Sequence, residues 1–469
     1  MGSSLGHDVG KNPQPIVSPA RVFAYQVLRQ VESGRGFAVD LLQAPKAAAL
    51  SARDLRLATE LVMGVLRAHG DLDRTIEEIS GKPLSHFDPE IATVLGLGIF
   101  QIRYLTKIPK RAAVDEAVEL AKFAKRRSAA GLVNAVLRKC EPGGAEGLVE
   151  RAGEEWTRRA LRSLPSWLRA RWEKNYGREA MQALARASLA APPVVLRVKS
   201  AEACEEAARR LELGGVRTHR AKFSPLALVV DYQASRNRGA ELEANPYDAI
   251  REAGVIQDEA SQLVAQLLEP GPGELVLDLC AAPGIKTGQI AQALGQGKIV
   301  AADRSVARVR TMRRLLKGIV PPEVEVLSVR LDASAKLPFK VLFDRILVDA
   351  PCSGTGTLSR NPEIKLRLGP EDLPRLARLQ ERMLGQALEA LAVGGRLVYA
   401  TCSLEPEENE KVVEKVLSNL SGFRIVSRDE HCVEFPAWSA LLGEEGFLRT
   451  RPDRDGMDGF FAAVIERQL

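Results

Sequence analysis

The sequence predicts a doubly wound α/β domain preceded by an all-α domain and a small α+β module, and three observations carry that prediction. From about Ile256 onward, short apolar runs alternate with helical segments, the grammar of a parallel sheet covered on both faces. From Ser18 to about Cys140 the apolar residues keep helical spacing and no long alternating strand occurs. Between these regions Glu141-Pro-Gly-Gly-Ala-Glu-Gly147 marks a linker or domain edge. The expected divisions are a tail at 1–17, the all-α domain at 18–142, the module at 150–253 and the sheet domain at 254–469.

Taken in order, residues 1–17 are polar with Gly and Pro and read as a disordered tail. Ser18-Pro19 reads as N-cap and first helical position; Phe23, Val27, Leu28 and Val31 follow at helical spacing, and Gly34 and Gly36 end the helix. Helical apolar faces recur at 55–67, 91–105, 114–123 and 131–137. Lys107-Ile-Pro-Lys-Arg111, Lys125-Arg-Arg127 and Arg138-Lys139 place basic residues around helix ends, where they can face phosphates. In the module, helices at 165–174 and 179–188 precede a strand at 194–198, a helix at 201–213 and a strand near 227–230. Strands of the last domain are expected at 275–279, 299–302, 324–329, 346–348 and 397–400.

Composition narrows the class of protein. The chain has 469 residues, 45% apolar, 27% charged and 5% aromatic, enough to bury sizeable cores and unlike fibrous or wholly disordered chains. No apolar window reaches the length of a membrane span, and the start carries Asp8 and Lys11 with no apolar core, so a soluble, cytoplasmic protein is expected. Met1-Gly2 is not a myristoylation signal, because Gly6 stands where that motif has Ser or Thr. The cysteines (140, 204, 280, 352, 402, 432) and histidines (7, 69, 86, 219, 431) lie far apart without C-x-x-C spacing, which speaks against structural zinc, any metal site and a disulfide framework. The net charge of +6 resides at the front: residues 1–140 hold 20 Lys and Arg against 14 Asp and Glu, and the remainder is balanced. A basic module on a near-neutral half suits an anionic partner such as nucleic acid, although ordinary solvated helix faces would also account for it.

The chemistry gathers at predicted strand ends. The first strand of the sheet domain runs into Leu277-Asp-Leu-Cys-Ala-Ala-Pro-Gly-Ile-Lys-Thr287, a small-residue turn opening a helix, where backbone can approach an anionic ligand. Asp303, 19 residues after Gly284, closes the second strand and can accept from ribose hydroxyls; Asp332 follows the third, where it can touch an adenine. Together these predict a nucleoside cofactor. Asp349-Ala-Pro-Cys-Ser-Gly-Thr-Gly356 follows the fourth strand and Thr401-Cys-Ser403 the fifth, so Cys352, Cys402 and Asp349 are expected at one edge of the sheet. Cys280, by contrast, reads first as a small buried hydrophobe.

That set suits methylation at cytosine C5. C5 is too electron-poor to take a methyl group from S-adenosylmethionine until a thiolate adds at C6. An acid near N3 stabilises the adduct, a task that suits Asp349, and a base must later remove the C5 proton. These residues alone do not rank the two cysteines.

The motifs Asp278-Leu-Cys-Ala-Ala-Pro-Gly, Asp349-Ala-Pro-Cys-Ser-Gly-Thr-Gly, Tyr399-Ala-Thr-Cys-Ser and Asp458-Gly-Phe-Phe461 together resemble the Sun/Fmu (RsmB) branch of RNA cytosine-5 methyltransferases. The front domain, with Ile108-Pro, Val114-Asp-Glu-Ala-Val-Glu-Leu-Ala-Lys and Val133-Asn-Ala-Val-Leu-Arg-Lys, resembles the NusB RNA-binding fold that this branch carries. The resemblance spans nearly the whole chain. It implies a Rossmann-like class I S-adenosylmethionine-dependent methyltransferase sheet, a small RNA-recognition-like module, and 16S rRNA or a small-subunit assembly intermediate as partner of a monomer, with no membrane or metal.

It further implies Cys402 as nucleophile, Cys352 as the residue needed for product release and Asp349 beside N3. Cys280, Ala281, Ala282, Pro283, Gly284, Ile285, Lys286, Asp303, Asp332 and Asp349 would line the cofactor pocket, with Lys286 reaching toward the catalytic region. The chain departs from the family at Ile285, where a second glycine is common, and at Leu366, where a Trp is common. Pro406-Glu-Glu-Asn-Glu410 also matches the family but reads as an acidic helix start with no catalytic role. Rival readings are a related enzyme acting on another rRNA or tRNA site, a non-catalytic RNA-binding assembly or antitermination factor, and a DNA cytosine methyltransferase with its nucleophile at Pro351-Cys352.

Overall fold

The computed structural model describes residues 17–143, 153–231 and 246–468. The tail at 1–16 and the linker residues 144–147 lie outside them. The chain divides into two compact units, one of residues 1–190 with 361–363 and one of 191–360 with 364–469.

The first unit is helical. The helix expected after Ser18 runs Pro19–Glu32, and others span Pro89–Tyr104, Lys110–Phe123 and Ala130–Lys139. The segment expected at 55–67 is much longer, Ala52–Ser80, because Leu72 and Ile76 continue its buried stripe beyond Gly70. Each such fully buried Leu or Ile contributes roughly 1.5–3 kcal/mol. Gly70 is required by packing: a Cβ there would lie 2.4 Å from the Arg162 carbonyl oxygen. Arg162 ends the helix Glu154–Arg162 and its Nε lies 3.1 Å from Asp71 Oδ1, while Tyr104 Oη donates to Asp71 Oδ2 at 2.7 Å. The buried Asp71 therefore ties together three helices that sequence spacing could only place one by one.

The second unit contains two sheets. In the smaller, β1 (Val194–Arg197), β2 (Arg217–Arg220), β3 (Ala227–Asp231) and β4 (Val255–Ile256) form an antiparallel sheet in the order β2-β3-β1-β4. Helices Ala203–Leu213 and Pro246–Ala253 complete a βαββαβ arrangement, with Cys204, Ala207 and Leu211 packed on Leu196, Leu228 and Val230. The sequence did not signal β2, whose Arg-Thr-His-Arg residues include no apolar side chain and occupy a largely exposed edge.

The larger sheet comprises β5 (Leu275–Leu279), β6 (Gly297–Asp303), β7 (Val324–Arg330), β8 (Phe343–Asp349), β9 (Leu391–Thr401), β10 (Phe423–Ile425), β11 (Leu448–Arg449) and β12 (Phe461–Arg467). Its order is β7-β6-β5-β8-β9-β12-β10, with β11 pairing to β12. Strands β5 to β9 are parallel, as expected; β12 is antiparallel to both β9 and β10. Val276, Ile299, Leu347 and Val398 pack on one face, and Leu277, Ile346, Leu397 and Tyr399 on the other. From β5 the chain winds outward to β7, then returns to lay β8 on the opposite side of β5. The crevice at the carboxyl ends of β5 and β8 is thus the position where such sheets hold ligands.

Buried polar bonds fasten the small sheet to the large one. Arg197 Nε donates to Gln257 Oε1 at 2.7 Å, and Gln257 Nε2 to Gln289 Oε1 at 2.9 Å. Trp438 Nε1 donates to the Phe223 carbonyl at 3.1 Å. Arg360 bonds Asp258 Oδ2 at 2.7 Å, Asp458 Oδ2 at 2.8 Å and the Pro193 carbonyl at 2.9 Å. Burial pushes the Asp458 carboxyl up to about 7, and the neighbouring Asp258 charge adds to the shift.

Candidate active site

β5 delivers Asp278 to the crevice, and the turn that follows opens the helix Ile285–Leu294. Gly284 caps this helix at φ +105°, and a Cβ there would lie 3.0 Å from Met312 Cγ, so conformation and space both call for glycine. Ile285 and Lys286 form the first helical positions, which lets Lys286 reach across to β8. Its Nζ lies 2.9 Å from Asp349 Oδ2 and 5.1 Å from the centre of the Phe460 ring. Burial lowers the Lys286 ammonium, but the Asp349 charge and hydrogen bond outweigh it and leave the group above its usual value.

Asp303 closes β6 and Asp332 follows β7, the two carboxylates expected to meet a nucleoside, and Asp278, for which no such role was expected, lies in β5. Asp278 is fully buried; its Oδ2 accepts from Thr287 Oγ1 at 2.6 Å and its Oδ1 has no hydrogen-bond partner among the described residues. Burial pushes this carboxyl up to about 7, against the Thr287 hydrogen bond. Asp303 Oδ1 accepts from Ser305 N at 2.8 Å, and its Oδ2 lies 3.2 Å from Arg308 Nη1. Asp332 is exposed and bonds Ser334, whose hydroxyl and amide hold its carboxyl below the usual range. Cys280 packs against the core beneath the crevice, and burial, then the Asp349, Asp303 and Asp278 charges, raise its thiol pKa. A small-residue turn opening a helix, an unpartnered buried carboxylate oxygen and acidic strand ends fit a nucleoside with an amino-acid tail.

The two cysteine turns converge on the other side of β5. Cys352 follows β8, Cys402 follows β9, and the Ala350 amide bonds the Ala400 carbonyl at 2.9 Å, so the two turns leave the sheet side by side. Their Sγ atoms lie 3.3 Å apart. Gly356 N donates to the Cys402 carbonyl at 3.0 Å, and Gly459 N to the Gly356 carbonyl at 2.8 Å. A Cβ on Gly356 would come within 2.1 Å of Gly459 O, so only glycine lets the Asp458-Gly-Phe-Phe461 loop rest on this turn. The hydrogen bond to Cys402, then burial, then the Cys402 and Glu408 charges push the Cys352 thiol well up.

The sequence reading missed Glu408 and Arg360. The helix expected at 406–410 starts only at Glu410 (Glu410–Leu417), and Glu408 points inward, fully buried between the cysteine turns. The available signal was a serine directly after each cysteine, which gives a buried carboxylate its donors. The departures from the family lie in two helices: Ile285 opens the helix after Gly284, and Leu366 lies half-buried in the short helix Ile364–Arg367. No group of three or more His, Cys, Asp or Glu able to hold a metal occurs among the described residues, and no described helix is long and apolar enough to cross a membrane.

Residues 265–466 match the family model described as 16S rRNA methyltransferase RsmB/F, residues 18–142 the NusB family, and residues 164–235 the ferredoxin-like domain of RsmF/B-like methyltransferases. The chain is 30% identical to the probable ribosomal RNA small subunit methyltransferase B of Synechocystis, over 96% of this chain and 99% of that protein. It belongs to the ribosomal RNA small subunit methyltransferase B family. The Pseudomonas putida member is 34% identical over 88% of this chain and 90% of its own length. Among solved structures, a methyltransferase homolog protein from Pyrococcus horikoshii is 28% identical, covering 69% of this chain and 98% of that one at a TM-score of 0.51. NSun6 from Pyrococcus horikoshii, solved with SFG, shares the fold at 21% identity, covering 65% of this chain and 98% of that one, with a TM-score of 0.54. The family thus accounts for the helical domain, the ferredoxin-like module and the Rossmann-like methyltransferase sheet.

Proposed function

We propose that this chain methylates C5 of a cytosine in 16S rRNA through a covalent cysteine–C6 adduct, using S-adenosylmethionine. The observation that carries the reading is the 3.3 Å contact between Cys352 and Cys402, with Asp349 held by Lys286 at the same sheet edge. Bound in the crevice by residues 280–286, Asp303, Asp332 and Asp349, the cofactor supplies the methyl group. Cys402 is the nucleophile, the role the family resemblance gives it, and Cys352, whose sulfur lies 3.3 Å away, is close enough to serve the same base. The Cys402 sulfur bonds C6, and the negative charge developing at N3 is met by a proton from the Asp349 carboxyl, with Lys286 beside it to balance the carboxylate left behind. After methylation, loss of the C5 proton re-forms the double bond and expels the Cys402 sulfur, the stage that needs Cys352.

The target base must lie in a loop or be flipped out, because stacked C5 and C6 are out of reach of a half-buried thiol at a sheet edge. The reading assigns the surrounding phosphates to the basic helical domain at 18–142, and keeps the module at 150–253 and the catalytic domain at 254–469. It also places the protein in the cytoplasm, as a monomer acting on rRNA or a small-subunit assembly intermediate.

The test is methyl transfer to 16S rRNA transcript with S-adenosylmethionine, read with denaturing gels for covalent protein–RNA species. Cys402→Ala is expected to give neither turnover nor adduct, and Cys352→Ala to accumulate adduct. Loss of the adduct in Cys352→Ala alone would reverse the two roles. A wild-type protein that binds cofactor but transfers nothing to rRNA would end the reading.

A further inference from the structure

Ser353 and Ser403 each follow one of the two thiols, and both reach the same carboxylate. Glu408 Oε1 accepts from the Ser353 amide at 2.9 Å and from Gln380 Nε2 at 3.0 Å. Its Oε2 accepts from the Ser403 hydroxyl at 2.6 Å and from the Ser353 hydroxyl, and the two hydroxyls lie 3.0 Å apart. The loop carrying Glu408 is itself fixed. Tyr399 Oη donates to the Glu408 carbonyl at 2.6 Å, Asn409 Nδ2 to the Ser403 carbonyl at 2.9 Å, and Thr401 Oγ1 to Asn409 Oδ1 at 2.5 Å. A fully buried carboxylate is tolerated only with such a set of donors, and stripping them leaves a costly unsatisfied charge.

We infer that Glu408 is a positioning residue that clamps the Cys352 and Cys402 turns in one register. The turns come from different strands and are built from Gly, Ser and Thr, residues that leave a turn free to shift. The β8–β9 pairing aligns Asp349 with Ala400 but ends before the cysteines. Beyond that point the bonds from Gly356 N to the Cys402 carbonyl and from Leu404 N to Thr355 Oγ1, with the contact between the two serine hydroxyls, also join the turns, and Glu408 adds a carboxylate bonded to both of the serines that follow the sulfurs. The consequence for catalysis rests on the methyltransfer reading, in which both thiols serve one base at successive steps. The consequence for thiol spacing does not.

The spacing is measured directly with diamide, which takes two electrons and two protons from a pair of thiols as they join in a disulfide and is itself reduced to the hydrazine. In the full chain, the Cys352–Cys402 disulfide is followed by alkylation and peptide mapping. Glu408→Ala is expected to slow its formation at least about tenfold, given the cost of misplacing reacting atoms by an ångström. Glu408→Gln, which keeps an acceptor for the Ser353 amide, should stay close to wild type. With RNA and cofactor, Glu408→Ala should accumulate more covalent protein–RNA species than wild type, because release needs the second thiol in place.

An unchanged disulfide rate in folded Glu408→Ala overturns the inference, as does a uniform loss of adduct formation and release. If that variant does not fold, Ser353→Ala and Ser403→Ala each remove one arm. A slower disulfide in either supports the clamp, and wild-type rates in both overturn it. If wild type methylates no RNA while the disulfide rate still follows Glu408, the methyltransfer reading falls and the clamp stands.

Discussion

The two halves of the crevice differ in how their polar groups are satisfied. On the β5–β7 side, among the described residues, Asp278 keeps an unpartnered oxygen, Asp303 meets an arginine that is itself 58% exposed, and Asp332 bonds Ser334 of its own turn. On the β8–β9 side, Glu408, Ser353, Ser403, Thr401 and Asn409 are buried and bonded to one another. The first half keeps hydrogen-bonding capacity for a molecule that arrives and leaves. The second is assembled in advance, as the proposed two-thiol chemistry requires.

Substitutions on the two sides should therefore fail differently. The largest effect is expected for Asp349→Asn, on the assembled side, which removes the partner of Lys286 and the group proposed to face N3. Single-turnover methyl transfer should slow about 10²–10⁴-fold, the range for a lost acid–base group. If the loss instead appears only in cofactor affinity, Asp349 belongs with the open half. Asp303→Ala should do the reverse, weakening cofactor binding by roughly 10–100-fold in calorimetry, as for a lost hydrogen bond to a charged group. At saturating cofactor its turnover should be near wild type; a slow step that persists there would merge the two halves.

The last comparison concerns stability against pH and leaves turnover aside. The Asp278 carboxyl is pushed up to about 7 in the fold from an ordinary value near 4, so between those values the folded chain binds the extra proton. Its contribution to stability is therefore greatest at low pH and declines as pH rises from about 4 to about 7. Asp278→Asn should remove that decline, flattening the dependence of unfolding free energy by up to about 1.4 kcal/mol per pH unit. Chemical denaturation at pH 5 and pH 7 checks it, and equal slopes in both proteins would show that the carboxyl does not titrate there.

Much of the assembled half could be read in the sequence and much could not, for physical reasons. Strands β5 to β9 are apolar runs bounded by turns, and their parallel pairing leaves that trace in composition. Strand β12 is also a short apolar run, but its antiparallel insertion between β9 and β10 is a matter of pairing partner, which spacing does not encode. The strand-end residues Asp349, Cys352 and Cys402 stand out because their chemistry is scarce. Glu408 does not, since it lies in an acidic run whose outward members look the same. What separates it from Glu407 is its inward direction toward Ser353 and Ser403, a tertiary property. Arg360 escaped notice likewise: its carboxylates at 258 and 458 lie far from it in the chain.

The seating of Gly459 on Gly356 also orders events during synthesis. A nascent chain that has emerged only through Thr401-Cys402 already carries both thiols, yet it lacks the loop against which their turns rest and the strand that pairs with β9. Contacts between residues about a hundred positions apart form late, after the loop-closure entropy has been met. The same late segment supplies Trp438, Phe460, Phe461 and Val464 to the cores on both faces of the sheet, so a chain that ends at Cys402 is expected to lack the folded crevice as well as the paired turns.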